Sequence, residues 1–250
     1  MKNQTETIDQ VIDQLTEIVD WSRKTKSRLG YFATLYRKVT IKVKEGIEEN
    51  FFDDGNRMER LDVIFANRYL TAVEAFRNND QPTNCWIYSF EVANQRWPIV
   101  LQHLLLGMNA HINLDLGIAA ARTVPSSELQ SLHNDFNKIN EILTGLVGDV
   151  QNDLAQIWPI LRIMNRYLGN IETAIINFSM SKARDNAWSV AERLAPLSES
   201  EQKDEIAKLD TEVTAFARVI RHPGIIGSTI SKLIRLGERG SVPKKIDILE

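Results

Sequence analysis

The chain is short of the residues that break, staple or specialise a fold. Its 250 residues include a single cysteine, Cys85, which excludes an internal disulfide framework and a cysteine-rich zinc site. A lone thiol suits a reducing compartment. Glycine (12) and proline (7) are scarce, so long segments run without a breaker. No strand–turn–strand spacing recurs, and there is no internal repeat or low-complexity stretch. A net charge of −3, with 25% charged residues, lacks the basic excess of a nucleic-acid binder. The N-terminal residues 1–8 contain no apolar signal core. No window reaches the roughly 18 uninterrupted apolar residues of a membrane span. Residues 99–108 come nearest, and Gln102 and His103 interrupt them. These absences predict a protein without a membrane span, cytoplasmic by default.

What is present is helical periodicity. Ile8, Val11, Ile12, Leu15, Ile18 and Val19 mark a helix over 5–26, with Thr7 and Gln10 at capping-box spacing. A second helix is expected over 27–49 on Leu35, Val39, Val43 and Ile47, although Tyr36 to Val43 alternates like a strand. A turn at 51–56 precedes a helix over 57–78, and residues 78–82 form a loop. Residues 86–97 read as an aromatic-rich helix, and Pro98 suits the first turn of the helix after it. Ser126 is placed to cap a helix from about Glu128 to Trp158, which Pro159 ends. Further helices are expected over 160–168, 170–195 and 199–221, with Ser198 and Glu201 as a second capping box. His222-Pro-Gly224 breaks the chain before a last helix over 226–238. The lysine- and glutamate-rich stretch 199–212 reads as a solvated face. The expected fold is all-α: one multi-helix, bundle-like domain over 1–240 around a buried central helix, with 241–250 as a loosely attached tail.

The expected central helix is the run from Val100 to Gly117. It is the most apolar stretch of the chain, yet it carries His103, Asn109, His111, Asn113 and Asp115. Burying such groups costs several kcal/mol each unless they are paired, hydrogen-bonded or metal-bound, on the order of 1–3 for a neutral group and more for a charge. His111 and Asp115 are four apart, one above the other on a helix, which suits two ligands of one ion. Asp115 serves equally as the partner that orients His111. Asn109 and Asn113 share roughly the opposite face. His103 lies about 12 Å from His111 along an ideal helix axis, too far for one ion unless Gly107 allows a bend. Gly107 also leaves room for a ligand or a neighbouring helix.

Asp62 sits on an otherwise apolar stretch, with Tyr69 roughly on its face; a salt bridge to Arg68 or another cation is the plainer reading. Asp135 and Asn140 sit in a similar context, with a solvated first turn the plainer reading of Asp135, and His133 fits a surface position and His222 a helix end. Cys85 and the tryptophans read as packing, although one or two of the latter could wall a pocket. Glycine-rich phosphate loops, H-E-x-x-H, G-x-S-x-G and Glu-x-x-His pairs are all absent.

The stretch 61–70 (LDVIFANRYL), Trp86 and the run from Gln102 to Leu116 (QHLLLGMNAHINLDL) together resemble a bacterial family catalogued only as a domain of unknown function. That resemblance is clearest over residues 50–170. It implies a helical domain and supplies no activity. A weaker likeness, carried by the His-x-x-x-Asp pair, is to helical zinc hydrolases of the phospholipase C and P1 nuclease type. Those enzymes use many more histidines than the 4 found here.

Three functional readings follow. The first is a metal-dependent enzyme, a hydrolase, with catalytic His103, His111 and Asp115. Its zinc, iron or manganese would be held by His111, Asp115, His103 and Asp62, and would activate a bound water. It fails if only two of these side chains converge. The second is a metal-free protein that binds a small, partly apolar molecule, with Asn109, Asn113 and Tyr69 as contacts. The third is a structural or partner-binding protein in which the polar run is a buried network. Oligomeric state is not readable.

Overall fold

The structure, a computed structural model, describes residues 4–159 and 180–250. Its elements are helices, and there is no strand among the described residues. Helix α1 (Ile8–Thr25) pairs with α2 (Leu29–Glu48); α3 (Gly55–Arg77) and α4 (Asn84–Ala93) follow. The strand-like alternation after Tyr36 lies inside α2. The central helix runs without a break from Val100 to Thr123 but changes character twice. It is α-helical as α5 (Val100–Met108), π-helical over Asn109–Leu116, and α-helical again as α6 (Gly117–Thr123). A 3-10 turn (Ser126–Glu128) leads into α7 (Leu129–Ile157). After the undescribed residues come α8 (Met180–Leu194), α9 (Glu199–Arg221), α10 (Gly224–Gly237) and α11 (Val242–Leu249). The helix expected over 160–168 and the first part of that expected over 170–195 lie outside the described residues.

The central helix is the axis of the packing. α5 rests on α2, α4 and α9; the π-helical stretch on α3, α8 and α9; α6 on α3 and α8. By length and composition it passes for a membrane span, but 89% of its apolar window is buried inside the protein, which does not point to one. Two glycines permit the closest approaches. A Cβ on Gly107 would lie 2.3 Å from Cγ of Phe32, so α2 seats its phenyl ring directly on the central helix. A Cβ on Gly117 would lie 2.6 Å from the Ala187 carbonyl oxygen of α8.

Several helix N-termini are closed from a distance. Asp135 of α7, fully buried, accepts from the backbone N–H groups of Asp53 (2.6 Å) and Asp54 (3.1 Å) and from the Arg57 guanidinium. Asp210 of α9 accepts from the N–H groups of Asn84 (2.7 Å) and Cys85 (2.9 Å) at the head of α4. Glu238 accepts from Val100 N–H (2.7 Å) at the head of α5, and Glu59 from Ile8 N–H (3.1 Å) at the head of α1. A carboxylate at these positions satisfies otherwise orphaned donors and meets the positive end of the helix dipole. Asp135 is therefore not in a solvated turn, and the face over 199–212 is not wholly solvated.

Local capping is mixed. Ser198 and Glu201 form their reciprocal box. The Thr7 hydroxyl accepts from Gln10 N–H, while the Gln10 side chain reaches back to Glu6 N–H. Ser126 makes no capping bond and opens the 3-10 turn instead. Pro98 precedes the cap residue Ile99 rather than lying within the first turn. The expected loose tail is a helix: α11 buries Ile246 and Leu249, and Lys245, itself buried, bonds the Glu238 carboxylate at 2.6 Å.

Candidate functional site

His111 and Asp115 sit on the π-helical stretch, where they face α2 and α3. Extended π-helix is rare and is found often at functional positions. Asp115 is 1% exposed. Its two oxygens are each engaged: Arg68 Nε donates at 2.6 Å and Trp86 Nε1 at 2.8 Å. Burial pushes this carboxyl up, but the Arg68 charge and the contacts from His111 and Trp86 outweigh it and hold the group below the usual aspartate range. The group is ionised at neutral pH.

The His111 ring is stacked on Phe65, with centroids 3.6 Å apart and planes 10° from parallel, and the Tyr36 ring lies 4.3 Å away. His111 Nδ1 lies 3.7 Å from Asp115 Oδ2, an electrostatic contact too long for a hydrogen bond. Neither ring nitrogen has a hydrogen-bond partner, and the buried Tyr36 hydroxyl has none either. Burial pulls His111 below the usual histidine value despite Asp115, so the ring is neutral. The carboxylate beside Nδ1 favours the tautomer protonated there, which leaves Nε2 as an acceptor.

Above this pair lies an apolar cavity of about 110 Å³. His111 and Tyr36 line it together with Phe65, Leu105 and Met108, and α7 and α8 contribute Leu143 and Arg184. Arg184 is 4% exposed, lies over the Phe136 ring and donates to the Phe136 carbonyl, and its Nε is unpartnered. Burial lowers its guanidinium to about 9.

The residues expected to hold a metal are dispersed by the fold. Among the described residues no three His, Cys, Asp or Glu side chains are grouped to hold an ion. His111 and Asp115 do approach each other, but Asp115 spends both oxygens on Arg68 and Trp86. His103 packs edge-on against Tyr31, and burial with the nearby charges of Arg28, Arg235 and Lys245 pulls it down to about 3. That ring is neutral, and its Nε2 has no hydrogen-bond partner. Asp62 is 7% exposed, its Oδ2 unpartnered, and Arg68 bonds Asp115 instead of Asp62. Burial, with Glu59 nearby, raises the Asp62 carboxyl to about 7.

Asn109 and Asn113 face away from the cavity: Asn109 Nδ2 donates to the Val213 carbonyl of α9, and Asn113 donates to Asn109 Oδ1. Tyr69 is buried in the aromatic cluster of Phe32, Tyr36 and Trp86, behind His111. None of the three lines the cavity above His111. Sequence reasoning passed over Tyr36, Phe65 and Arg184. Each lies on a different helix from His111, and nothing in its local pattern distinguishes it from an ordinary core or surface position.

The fold and site define an all-helical protein in which buried His111, Asp115 and Trp86, with half-buried Arg68, lie beside an apolar cavity. The profile of the family described as "Family of unknown function (DUF5995)" matches residues 8–223, and the chain belongs to that family. No curated protein and no solved structure matches it.

Proposed function

We propose that this protein binds a small, largely apolar molecule carrying one hydrogen-bonding group, without a metal. The observation that carries this reading is the cavity wall itself. It is almost wholly hydrocarbon, yet His111 and Tyr36, which line it, carry buried polar atoms that nothing in the protein satisfies. Unsatisfied buried groups cost about 1–3 kcal/mol each, so a ligand donor at His111 Nε2 recovers energy already spent in folding. The volume suits one aromatic ring or a short alkyl chain; a dry cavity of about 150 Å³ takes up benzene. Asp115 and Arg68 then serve to fix the tautomer and orientation of His111. The metal-dependent hydrolase stands as the second reading, and the two engaged oxygens of Asp115 count against it.

The test is a thermal-shift and calorimetric series with phenol, indole, toluene and n-hexanol. Phenol and indole raise the melting temperature more than toluene does. His111→Phe keeps toluene binding and weakens phenol by about five-fold, the worth of one net hydrogen bond. Leu105→Trp, which fills the cavity, abolishes all of it. Binding that survives Leu105→Trp, or no binding to any member at millimolar concentration, refutes the proposal. Metal recovered stoichiometrically with the purified protein, and lost with His111→Ala, would restore the hydrolase reading.

A further inference from the structure

Helix α10 is unlike the other described α-helices, because none of its residues is buried. Its sequence, GIIGSTISKLIRLG, is nevertheless strongly apolar. Ile225 (89% exposed), Ile226 (78%), Ile230, Leu233 (64%) and Leu236 (74%) all face solvent. At helical spacing they fall on one continuous face. The last turn of the helix holds it in place. Gly237 packs against the Trp158 indole, Ile234 packs against the core, and Arg235 donates to the Arg96 carbonyl at 2.7 Å. That last bond ties α10 to the loop that presents Trp97, 51% exposed. Val219, at the end of α9, is also exposed.

The charge along this stretch is mostly positive. Between Glu212 and Glu238 the chain carries Arg218, Arg221, Lys232 and Arg235 and no carboxylate, and of these Arg235 is paired with Glu238 at 3.2 Å. We propose that α10, with Trp97 beside it, docks on the surface of an anionic lipid bilayer, lying in the interface with its isoleucines and leucines among the acyl chains. A basic amphipathic helix with a flanking tryptophan has the composition of an interfacial segment. A second copy of the chain fits less well. A two-fold interface sets the same patch against itself, so Arg218 and Lys232 would meet like charges with no carboxylate to relieve them. A single exposed apolar face of this size is in any case uncommon on a protein that meets only water. The inference stands apart from the cavity and does not rest on the binding reading.

The experiment is co-sedimentation of the full chain with vesicles of phosphatidylcholine alone and of phosphatidylcholine mixed with phosphatidylglycerol. The protein sediments with the mixed vesicles and not with the neutral ones, and added salt releases it. Its tryptophan emission shifts to the blue on binding, and Trp97→Phe removes that shift. Lys232→Glu weakens binding by about five-fold or more. The double variant Ile226→Asp, Leu233→Asp abolishes it. All these positions are exposed, so circular dichroism melts of the variants should match the parent. Equal binding to both vesicle types, or binding retained by the double variant, overturns the proposal. So does a lipid-free dimer by light scattering that the double variant disrupts, which would give the face to a second copy.

Discussion

Asp62 gives the sharpest test of the electrostatics described above. Its carboxyl is buried on α3, one oxygen lacks any partner, and burial together with the nearby Glu59 raises it from 3.8 to about 7. Between these two values the unfolded chain has released its proton while the folded chain keeps it. Folding in that window takes up a proton, so raising the pH weakens the fold. The penalty starts above 3.8 and is complete once the pH passes about 7. In full it amounts to about 4 kcal/mol at roughly 1.4 kcal/mol per pH unit, of which about 2–3 falls between pH 5 and pH 8.5. Asp62→Asn removes the titration and keeps the shape. The assay is urea unfolding of both proteins at several pH values across that range. His103 and His111 also titrate differently in the two states, but they do so in both proteins, and the difference between the two curves cancels them. The variant should gain on the parent by about 2–3 kcal/mol as the pH rises to 8.5. A constant difference across the range would show that Asp62 is ionised in the folded protein and that the burial argument is wrong.

Other outcomes follow from the same contacts. Arg68→Met leaves the Asp115 carboxylate buried without its cation and should cost about 3–5 kcal/mol at pH 7, read by urea unfolding. The loss should shrink on acidification, as Asp115 takes up a proton; a loss independent of pH would refute the charge argument. Gly107→Ala should destabilise by about 1–3 kcal/mol, because its methyl meets the Phe32 ring. Gly145→Ala, with nothing within 4 Å of its Cβ, should instead stabilise by about 0.5–1 kcal/mol in the same thermal melts. Deleting residues 242–250 strips Ile246 and Leu249 from the core and should cost about 4 kcal/mol. A deletion without effect would return α11 to the status of a loose tail.

The helices were legible in the sequence because apolar spacing is a local signal. Ile8 to Val19, Leu35 to Ile47 and the run from Val100 each sit on helices close to the expected bounds. The His103 to Asp115 run was legible as the centre for a different reason: polar groups inside an apolar run need partners, and Asp115 has them. What stayed hidden is long-range. Asp135 looked like a first-turn residue, and only the packing of α7 on α3 makes it a cap for a helix far away in sequence. Asp210 was concealed the same way in a stretch whose composition is that of a solvated face. The metal expectation rests on ideal spacing, which places His111 over Asp115 but says nothing of Arg68 and Trp86, which arrive from two other helices. The tail was misjudged because its short apolar pattern, Val242, Ile246 and Leu249, gains its burial only from α1, α2 and α7, all distant in sequence.

The widened middle of the central helix bears on how the chain can change length. Hydrogen bonds that skip five residues instead of four absorb additional residue within each turn, as an insertion would. Deleting one residue between Asn109 and Leu116 would let the segment relax toward an ordinary α-helix, at little local cost. Such relaxation gives back the residue that the wide turns absorb, so α6 would keep most of its phase relative to α5, where an uncompensated deletion in an α-helix would turn it by about 100°. Gly107 would stay against Phe32 and Gly117 against the Ala187 carbonyl. The stretch thus works as slack between α5, which is fitted to Phe32, and α6, which is fitted to α8. Single-residue deletions there should be better tolerated than single-residue deletions within α5 or α6.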